Sequence, residues 1–523
     1  MKNKKIKITA TLLSGALAAA LVLPFAGCKS GPDLSGYDKD KIVEISMWNS
    51  GGGTQYVQNL IDRYMDLHPD TYLSITPSGN MNTFYDTITA GARANTFDLY
   101  FSYGPKYRQY FEGQYKSDNY LEDLSEVLDA VPEGETETIK SKFSKDVLEE
   151  IAVGDKVYAM PWITYGSGLV YNVNEFENHS EWQLPRTTNE LRTLALQIKE
   201  DGKTPFLHNK SNYWEYLWTV WWAQYSGTSA YNEMFKENFY TYFDAMSKDG
   251  WDTEADYVDP GVEKALDCLY SLVSPEGYTL DGSNSTDHTI LQTLFLGGEA
   301  MMMPNGGWLE TEMSKNGTDL SDKNFRIMKT PVFSGVVDVL ELDTEEKLIA
   351  VIDYVDDGEK GEKPVGISDE DIDRVREMRN LTYTSGMETN AFIPSYAEGK
   401  ETAKDFLKFV YSQEGAEIIL ETNHLVPLWY KGDIGEIDTS KWSNFSKSNI
   451  EKQASAVYVY KSYVHPIFYN TSRTNVFYES PEMKFTASYA GDREKVSAFL
   501  SREIGQLKKD WAQLKMTAGL SGN

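Results

Sequence analysis

From residue 42 onward the chain alternates between two hydrophobic periods. Residues 42–48 (IVEISMW) alternate apolar and polar positions, placing Val43, Ile45 and Met47 on one face, the period of a half-buried strand. Residues 54–67 repeat Val57, Leu60, Ile61 and Tyr64 at helical spacing and stop at His68 and Pro69. Residues 71–76 are β-rich, 81–93 carry a helical pattern, and 96–101 are β-rich again. Strand, helix, strand, helix, strand with short links predicts an α/β fold built on a mostly parallel, doubly wound sheet.

In such sheets ligands gather at the carboxyl ends of the strands. Those ends carry Trp48, Asn49 and Ser50, then Ser78, Gly79 and Asn80, then Ser102, Tyr103 and Gly104. None is charged, and most offer a hydrogen bond or an aromatic face. That chemistry suits a neutral polyhydroxy ligand better than a phosphate or an ion.

Further along, residues 156–162 (KVYAMPW) and 169–173 (LVYNV) read as extended segments. A helix is predicted over 184–196, with Thr188 as candidate cap, and another over 289–295. Gly297 and Gly298 break the latter before a short buried strand at 299–303. Asn305, Gly306 and Gly307 then predict a tight turn from which Trp308 projects at the strand end. The densest aromatic cluster is Tyr213, Trp214, Trp218, Trp221 and Trp222, at helical spacing. Such a stripe is core more often than site, so only its start, 212–214, is expected to reach a ligand. Residues 332–384 read as an added module: an apolar strand-like start, an acidic turn and a charged helix over 368–380, with Ser368 and Asp371 at capping spacing. Residues 397–419 and 492–514 are amphipathic helices.

The amino terminus has a different character. Residues 1–7 carry four lysines and no acid, 8–24 (ITATLLSGALAAALVLP) are apolar and small, and Phe25, Ala26, Gly27 and Cys28 follow. This is the layout of a secretory signal, too short and too rich in Ala and Gly for a comfortable membrane span. Cys directly after Ala and Gly resembles the bacterial lipoprotein signal, in which the thiol is acylated and becomes the new amino terminus. An ordinary cleaved signal with an incidental Cys is the alternative. Residues 28–41 read as a polar, flexible tether.

Removing the first 27 of 523 residues leaves 496, more than one ordinary core needs, so two lobes are the default. The formal charge of −29 becomes about −33 without the four lysines of the signal, a field that repels nucleic acid and anionic lipid. The second cysteine, Cys268, lies in an amphipathic pattern and reads as a small core residue. Six scattered histidines give no metal spacing, and no cofactor motif occurs, so no cofactor or metal is expected.

Several motifs then fall in order. Residues 295–308 (FLGGEAMMMPNGGW) are similar to a stretch of the extracellular solute-binding proteins that serve carbohydrate ABC importers, the maltose-binding-protein-like family. Residues 185–191 (PRTTNEL), Tyr171 and Asn172 with Phe176, 403–410 (AKDFLKFV) with 412–415 (SQEG), and 425–427 (LVP) resemble further motifs of that family. The resemblance runs from about 41 to 428 and falls silent over 332–384. It implies a two-lobed periplasmic-binding-protein-like fold of type II, with doubly wound sheets joined by hinge strands. The first hinge crossing is expected near 162–165 and the second near 384–390. The first lobe would comprise 42–163 and 385–425, the second 164–331 and 426–523, with 332–384 inserted near the second crossing. Trp308 matches the family's sugar-stacking tryptophan. The resemblance also implies an extracytoplasmic monomer, held by its lipid at the cell membrane, that passes a carbohydrate to the transmembrane subunits of an ABC permease.

The candidate ligand-binding residues are therefore Trp48, Asn49, Asn80, Ser102, Tyr103, Trp162, Tyr165, Tyr213, Trp214, Asn305 and Trp308. Two other functions remain open from sequence. A lipid-anchored glycosidase needs two carboxylates flanking a glycosidic bond, and 79 acids allow a chance pair. A receptor of the same fold for a cation such as a polyamine would line its cleft with acids, which the strand-end loops lack.

Overall fold

The computed structural model describes residues 33–49, 51–79, 97–104, 108, 120–209, 213–253, 259–462, 464–469 and 496–520. The signal with Cys28, the first five residues of the tether, Asn80, Asn212 and the helical pattern at 81–93 lie outside the described residues.

The first sheet has the order β10-β3-β1-β2. Strands β1 (Ile42–Trp48), β2 (Tyr72–Ser78) and β3 (Leu99–Tyr103) are parallel, as their alternation predicts. Helix α1 (Gln55–Leu67) returns the chain from β1 to β2 and buries Tyr56, Val57, Leu60, Ile61 and Tyr64. Each large apolar side chain so buried contributes roughly 1.5–3 kcal/mol, enough to hold the helix on the sheet.

After the short hairpin of β4 (Ala152–Val153) and β5 (Lys156–Val157), Met160 bridges Ala391 beside the first sheet. Seven residues later β6 (Ser167–Asn172) opens a second sheet, of order β7-β6-β8. Its partners β7 (Met302–Gly306) and β8 (Phe325–Ile327) both run antiparallel to β6, unlike the parallel core of the first sheet. The second passage between the sheets follows β9 (Leu381–Tyr383), which pairs with β11 (Val457–Val459). The chain then enters β10 (Thr389–Phe392), which joins the first sheet antiparallel to β3. Ser167 Oγ donates to the Tyr383 carbonyl at 2.7 Å, tying the two passages together.

Around the second sheet lie α2 (Thr188–Glu200), α3 (Glu215–Ser226), α4 (Pro260–Val273), α5 (His288–Leu296) and α6 (Leu309–Lys315). Thr187, not Thr188, caps α2, accepting from the Glu190 amide at 3.2 Å. Thr188 is instead the first helical residue, buried with its hydroxyl turned to Ser334. Cys268 is buried on α4, where burial pushes its thiol up to about 12, so it packs as an inert hydrophobe.

The strand-like start of 332–384 forms only a bridge, Thr187 to Val332, and then coils into a 3-10 turn, Ser334–Asp338. The Ser334 amide donates to Thr188 Oγ1, which takes it out of any ladder. Helices α7 (Glu345–Asp356) and α8 (Asp369–Asn380) follow, the latter capped by Ser368 at the Asp371 amide. The segment packs onto α3, where Trp221 Nε1 donates to the Pro331 carbonyl and Gln224 Nε2 to that of Met378. The amphipathic run at 397–419 is two helices, α9 (Lys400–Val410) and α10 (Gln413–Asn423), broken at Ser412, whose side chain caps α10. Helices α11 (Asn444–Gln453) and α12 (Val496–Thr517) complete the described chain. Among the described residues no helix is long and apolar enough to cross a membrane.

Candidate ligand-binding site

Between the two sheets lies a cavity of about 270 Å³, walled from three directions. The first sheet supplies Trp48 and Tyr103, the last residues of β1 and β3, and Gly51 just beyond β1. The two passages between the sheets supply Tyr165, Ser385 and Thr389. The second sheet and its helices supply Tyr213 and Tyr216 at the start of α3, His288 at the start of α5, and Trp308 and Glu312 where β7 runs into α6. The parallel strands of the first sheet thus present their carboxyl ends to the cavity, as the fold type predicts.

Trp308 is its centre. Strand β7 includes Asn305 and Gly306, so the expected tight turn is shorter, and Trp308 sits at the N-cap of α6. Gly306 has no side chain in the way, and the indole lies directly against it. Three tyrosines meet Trp308 edge-on: Tyr165 at 5.1 Å, Tyr213 at 5.4 Å and Tyr216 at 6.1 Å between ring centroids. Such edge-to-face pairs contribute about 0.5–1.5 kcal/mol each beyond area burial. Trp308 is consequently only 9% exposed while still lining the cavity. Across the space, Trp48 and Tyr103 tilt together at 4.7 Å. Tyr213 holds a left-handed backbone, φ 28°, a strain that marks a position set by its surroundings. Burial, and then the nearby Glu312 carboxylate, raise its phenol above the ordinary range.

Other candidates fall elsewhere. Trp162 is 1% exposed, stacks on Tyr56 and donates its indole N–H to the Ser102 carbonyl at 3.1 Å, so Trp162 and Ser102 form the layer beneath the cavity. Trp214 is also 1% exposed, its N–H given to the Leu207 carbonyl at 3.0 Å. Asn305 is fully buried in β7, its Oδ1 accepting from the Gly306 amide. Asn49 instead reaches out of the cavity, accepting from Lys315 Nζ at 2.8 Å.

The cavity also gathers residues absent from the candidate set. Glu312 lies four residues after Trp308 on a helix, the spacing that puts two side chains on one face. Gln292 Nε2 donates to Glu312 Oε2 at 2.8 Å. Tyr216 follows Tyr213 by three for the same reason. Ser385 and Thr389 lie within the stretch expected to cross between lobes, but nothing in the sequence pointed their side chains at a ligand. Thr389 Oγ1 bonds the carbonyls of Gly386 and Ile163, holding the two passages together at the cavity floor. Among the described residues no group of three or more His, Cys, Asp or Glu could hold a metal ion. The surface as built offers flat apolar faces with hydroxyl, imidazole and carboxylate groups between them.

Comparison with known proteins agrees with this layout. Over 217 residues the chain is 23% identical to an uncharacterized ABC transporter extracellular-binding protein of Pyrococcus horikoshii, covering 39% of this chain. Over 332 residues it is 23% identical to the diacetylchitobiose binding protein NgcE of Streptomyces coelicolor, covering 58% of this chain. These matches span 46% and 64% of those relatives' own lengths. The apo form of RafE from Streptococcus pneumoniae superposes with a TM-score of 0.59 at 15% identity, covering 90% of this chain and 99% of RafE. The two-lobed α/β architecture is therefore shared. The sequence profile of the bacterial extracellular solute-binding proteins matches residues 49–417, and the chain belongs to that family.

Proposed function

We propose that this protein is an extracytoplasmic receptor for a sugar or oligosaccharide, which it encloses between its lobes and delivers to an ABC permease. The observation that carries this reading is the cavity wall: six aromatic rings, Trp48, Tyr103, Tyr165, Tyr213, Tyr216 and Trp308, drawn from both sheets and the passages between them. An apolar sugar face lies on such rings, while hydroxyls pair with the polar groups between them, where an unmatched buried group is costly. The ligands named for relatives, diacetylchitobiose for NgcE and raffinose for RafE, are of this class. Acylation at Cys28 would keep the monomeric receptor at the outer face of the cell membrane. The lobes of this reading are 42–163 with 385–425 and 164–331 with 426–523. A glycosidase is disfavoured because, among the described residues, the wall contributes a single carboxylate, Glu312, where hydrolysis calls for two.

Glu312 motivates a second reading, a cationic solute held over the rings. A thermal-shift panel of neutral oligosaccharides, polyamines and amino acids, followed by calorimetry, separates the two. Stabilisation by a neutral sugar is the expected result. Stabilisation by polyamines alone, with loss of that binding in Glu312→Gln, would replace the sugar with a cation.

A further inference from the structure

Away from the aromatic cavity, a second hollow of about 320 Å³ opens beside β8 and α11. Its wall carries four cationic side chains, Arg326, Lys329, Arg379 and Lys452, against one carboxylate, Glu451. In a chain with 79 acids and 50 Lys and Arg, that local balance is inverted. Three of the cations have carboxylate partners: Arg326 pairs with Glu451 at 2.8 Å, and Lys329 and Arg379 share Asp356 at 2.9 and 2.8 Å. Lys452 has none among the described residues. It is 6% exposed, and its ammonium, with three protons to donate, gives one to Thr382 Oγ1 at 2.6 Å, its one hydrogen bond among the described residues. Its stem lies along Gly168, where a Cβ would come within 2.9 Å of Lys452 Cε.

A buried ammonium without a counter-charge is costly, and proteins resolve that cost by neutralising the group or by pairing it. Burial, and then the charges of Arg379 and Lys329, lower the Lys452 ammonium to about 7, so these cations are felt in the same space. An anion in the hollow would supply the counter-charge that no described carboxylate gives Lys452.

We propose that this hollow is a binding site for a small oxyanion of the sulfate or phosphate type, with Lys452 as its central ligand and Arg326, Lys329 and Arg379 around it. Planar guanidinium groups and a point-charge ammonium are the donors that such tetrahedral anions take. The site is separate from the aromatic cavity and does not depend on what that cavity binds.

Sulfate is the probe, because it stays dianionic near neutral pH. The full chain is titrated with sodium sulfate, against sodium chloride at matched ionic strength, by calorimetry and thermal shift. The expected result is saturable binding with a rise in melting temperature beyond that in chloride. Binding should weaken at least tenfold in Lys452→Met and stay unchanged in Lys431→Met, an exposed lysine with the same charge loss. Removing a buried charge should leave Lys452→Met folded; if it does not fold, Arg326→Gln provides the same comparison. No excess effect over chloride, or equal sulfate binding in wild type and the pocket variant, would overturn the proposal.

Discussion

Gly51 and Trp308 meet across the two sheets: a methyl group on Gly51 would stand 2.9 Å from Cδ1 of the Trp308 indole. Gly51 lies just past β1 in the first sheet, and Trp308 follows β7 in the second. The neighbouring Gly52 is pressed against the Tyr165 hydroxyl, where a Cβ would likewise collide. The glycine loop is therefore where the two halves of the molecule close on each other beside the cavity.

Gly51→Ala should hold this contact open. The obstacle is a ring fixed by three tyrosines, not the tip of a flexible chain, so overpacking of about 1–3 kcal/mol is expected. Sugar affinity by calorimetry should fall about five- to hundredfold. Small-angle scattering of the saturated variant should show a less compact particle than saturated wild type. Equal affinity and equal compaction would show that the contact plays no part in closure.

Trp308→Ala is expected to lose affinity and stability together. A cleft residue standing free would cost only binding, but 9% exposure and three edge contacts make this tryptophan part of the packing as well. Truncating a buried Trp costs roughly 3–5 kcal/mol. A lost stacking platform, by analogy with base–aromatic stacking of about 1–3 kcal/mol, weakens binding about tenfold to a hundredfold. Trp162→Phe is the matched control. It removes the indole hydrogen bond to the Ser102 carbonyl, at a cost of about 0.5–1.5 kcal/mol, and should leave affinity within about threefold. Strong loss of binding in the control would move the ligand to the layer beneath the cavity.

Asp244 should make stability fall in acid. It lies on the helix Phe239–Asp249 and accepts from Lys248 of that helix and Lys515 of α12, both at 2.8 Å. These hydrogen bonds hold its carboxyl at about 2, below the ordinary value of about 3.9. A carboxyl depressed by folding stabilises above its unfolded value and loses that contribution as pH falls through its folded value. Asp244→Asn should thus lower the urea midpoint at pH 7, and the gap to wild type should shrink between about pH 4 and about pH 2. A gap independent of pH would assign the effect to packing.

Cys28→Ala tests the anchor. Cells grown with labelled fatty acid should label the wild type and not the variant, and the variant should leave the membrane fraction. A labelled variant would rule out acylation at this residue.

What local spacing could express, the sequence determined. Val43, Ile45 and Met47 at period two, and Val57, Leu60, Ile61 and Tyr64 at helical spacing, specified β1 and α1. Ser368 three residues before Asp371 specified a cap, because a side-chain hydroxyl reaches an amide only at that distance along the chain. The position of Trp48 and Tyr103 at strand ends that open on the cavity followed from the same local order. Where two breaks compete, the sequence was ambiguous: Thr187 and Thr188 are the same residue type, and only packing against Ser334 buries the second and leaves the first to cap.

The tertiary structure alone decided which aromatics face the cavity. Trp162, Trp214 and Trp308 are chemically identical, yet the first two give their indole N–H to the carbonyls of Ser102 and Leu207 and sink into the layers below. Trp308 is held at the wall by Gly51 from the other sheet and by tyrosines distant in sequence. Glu312, Ser385 and Thr389 likewise become neighbours only when the chain has passed twice between the sheets. Hydrophobic period is a property of adjacent residues, whereas a cavity is defined by contacts among residues hundreds of positions apart, and burial and hydrogen-bond partners there are set only once the lobes come together.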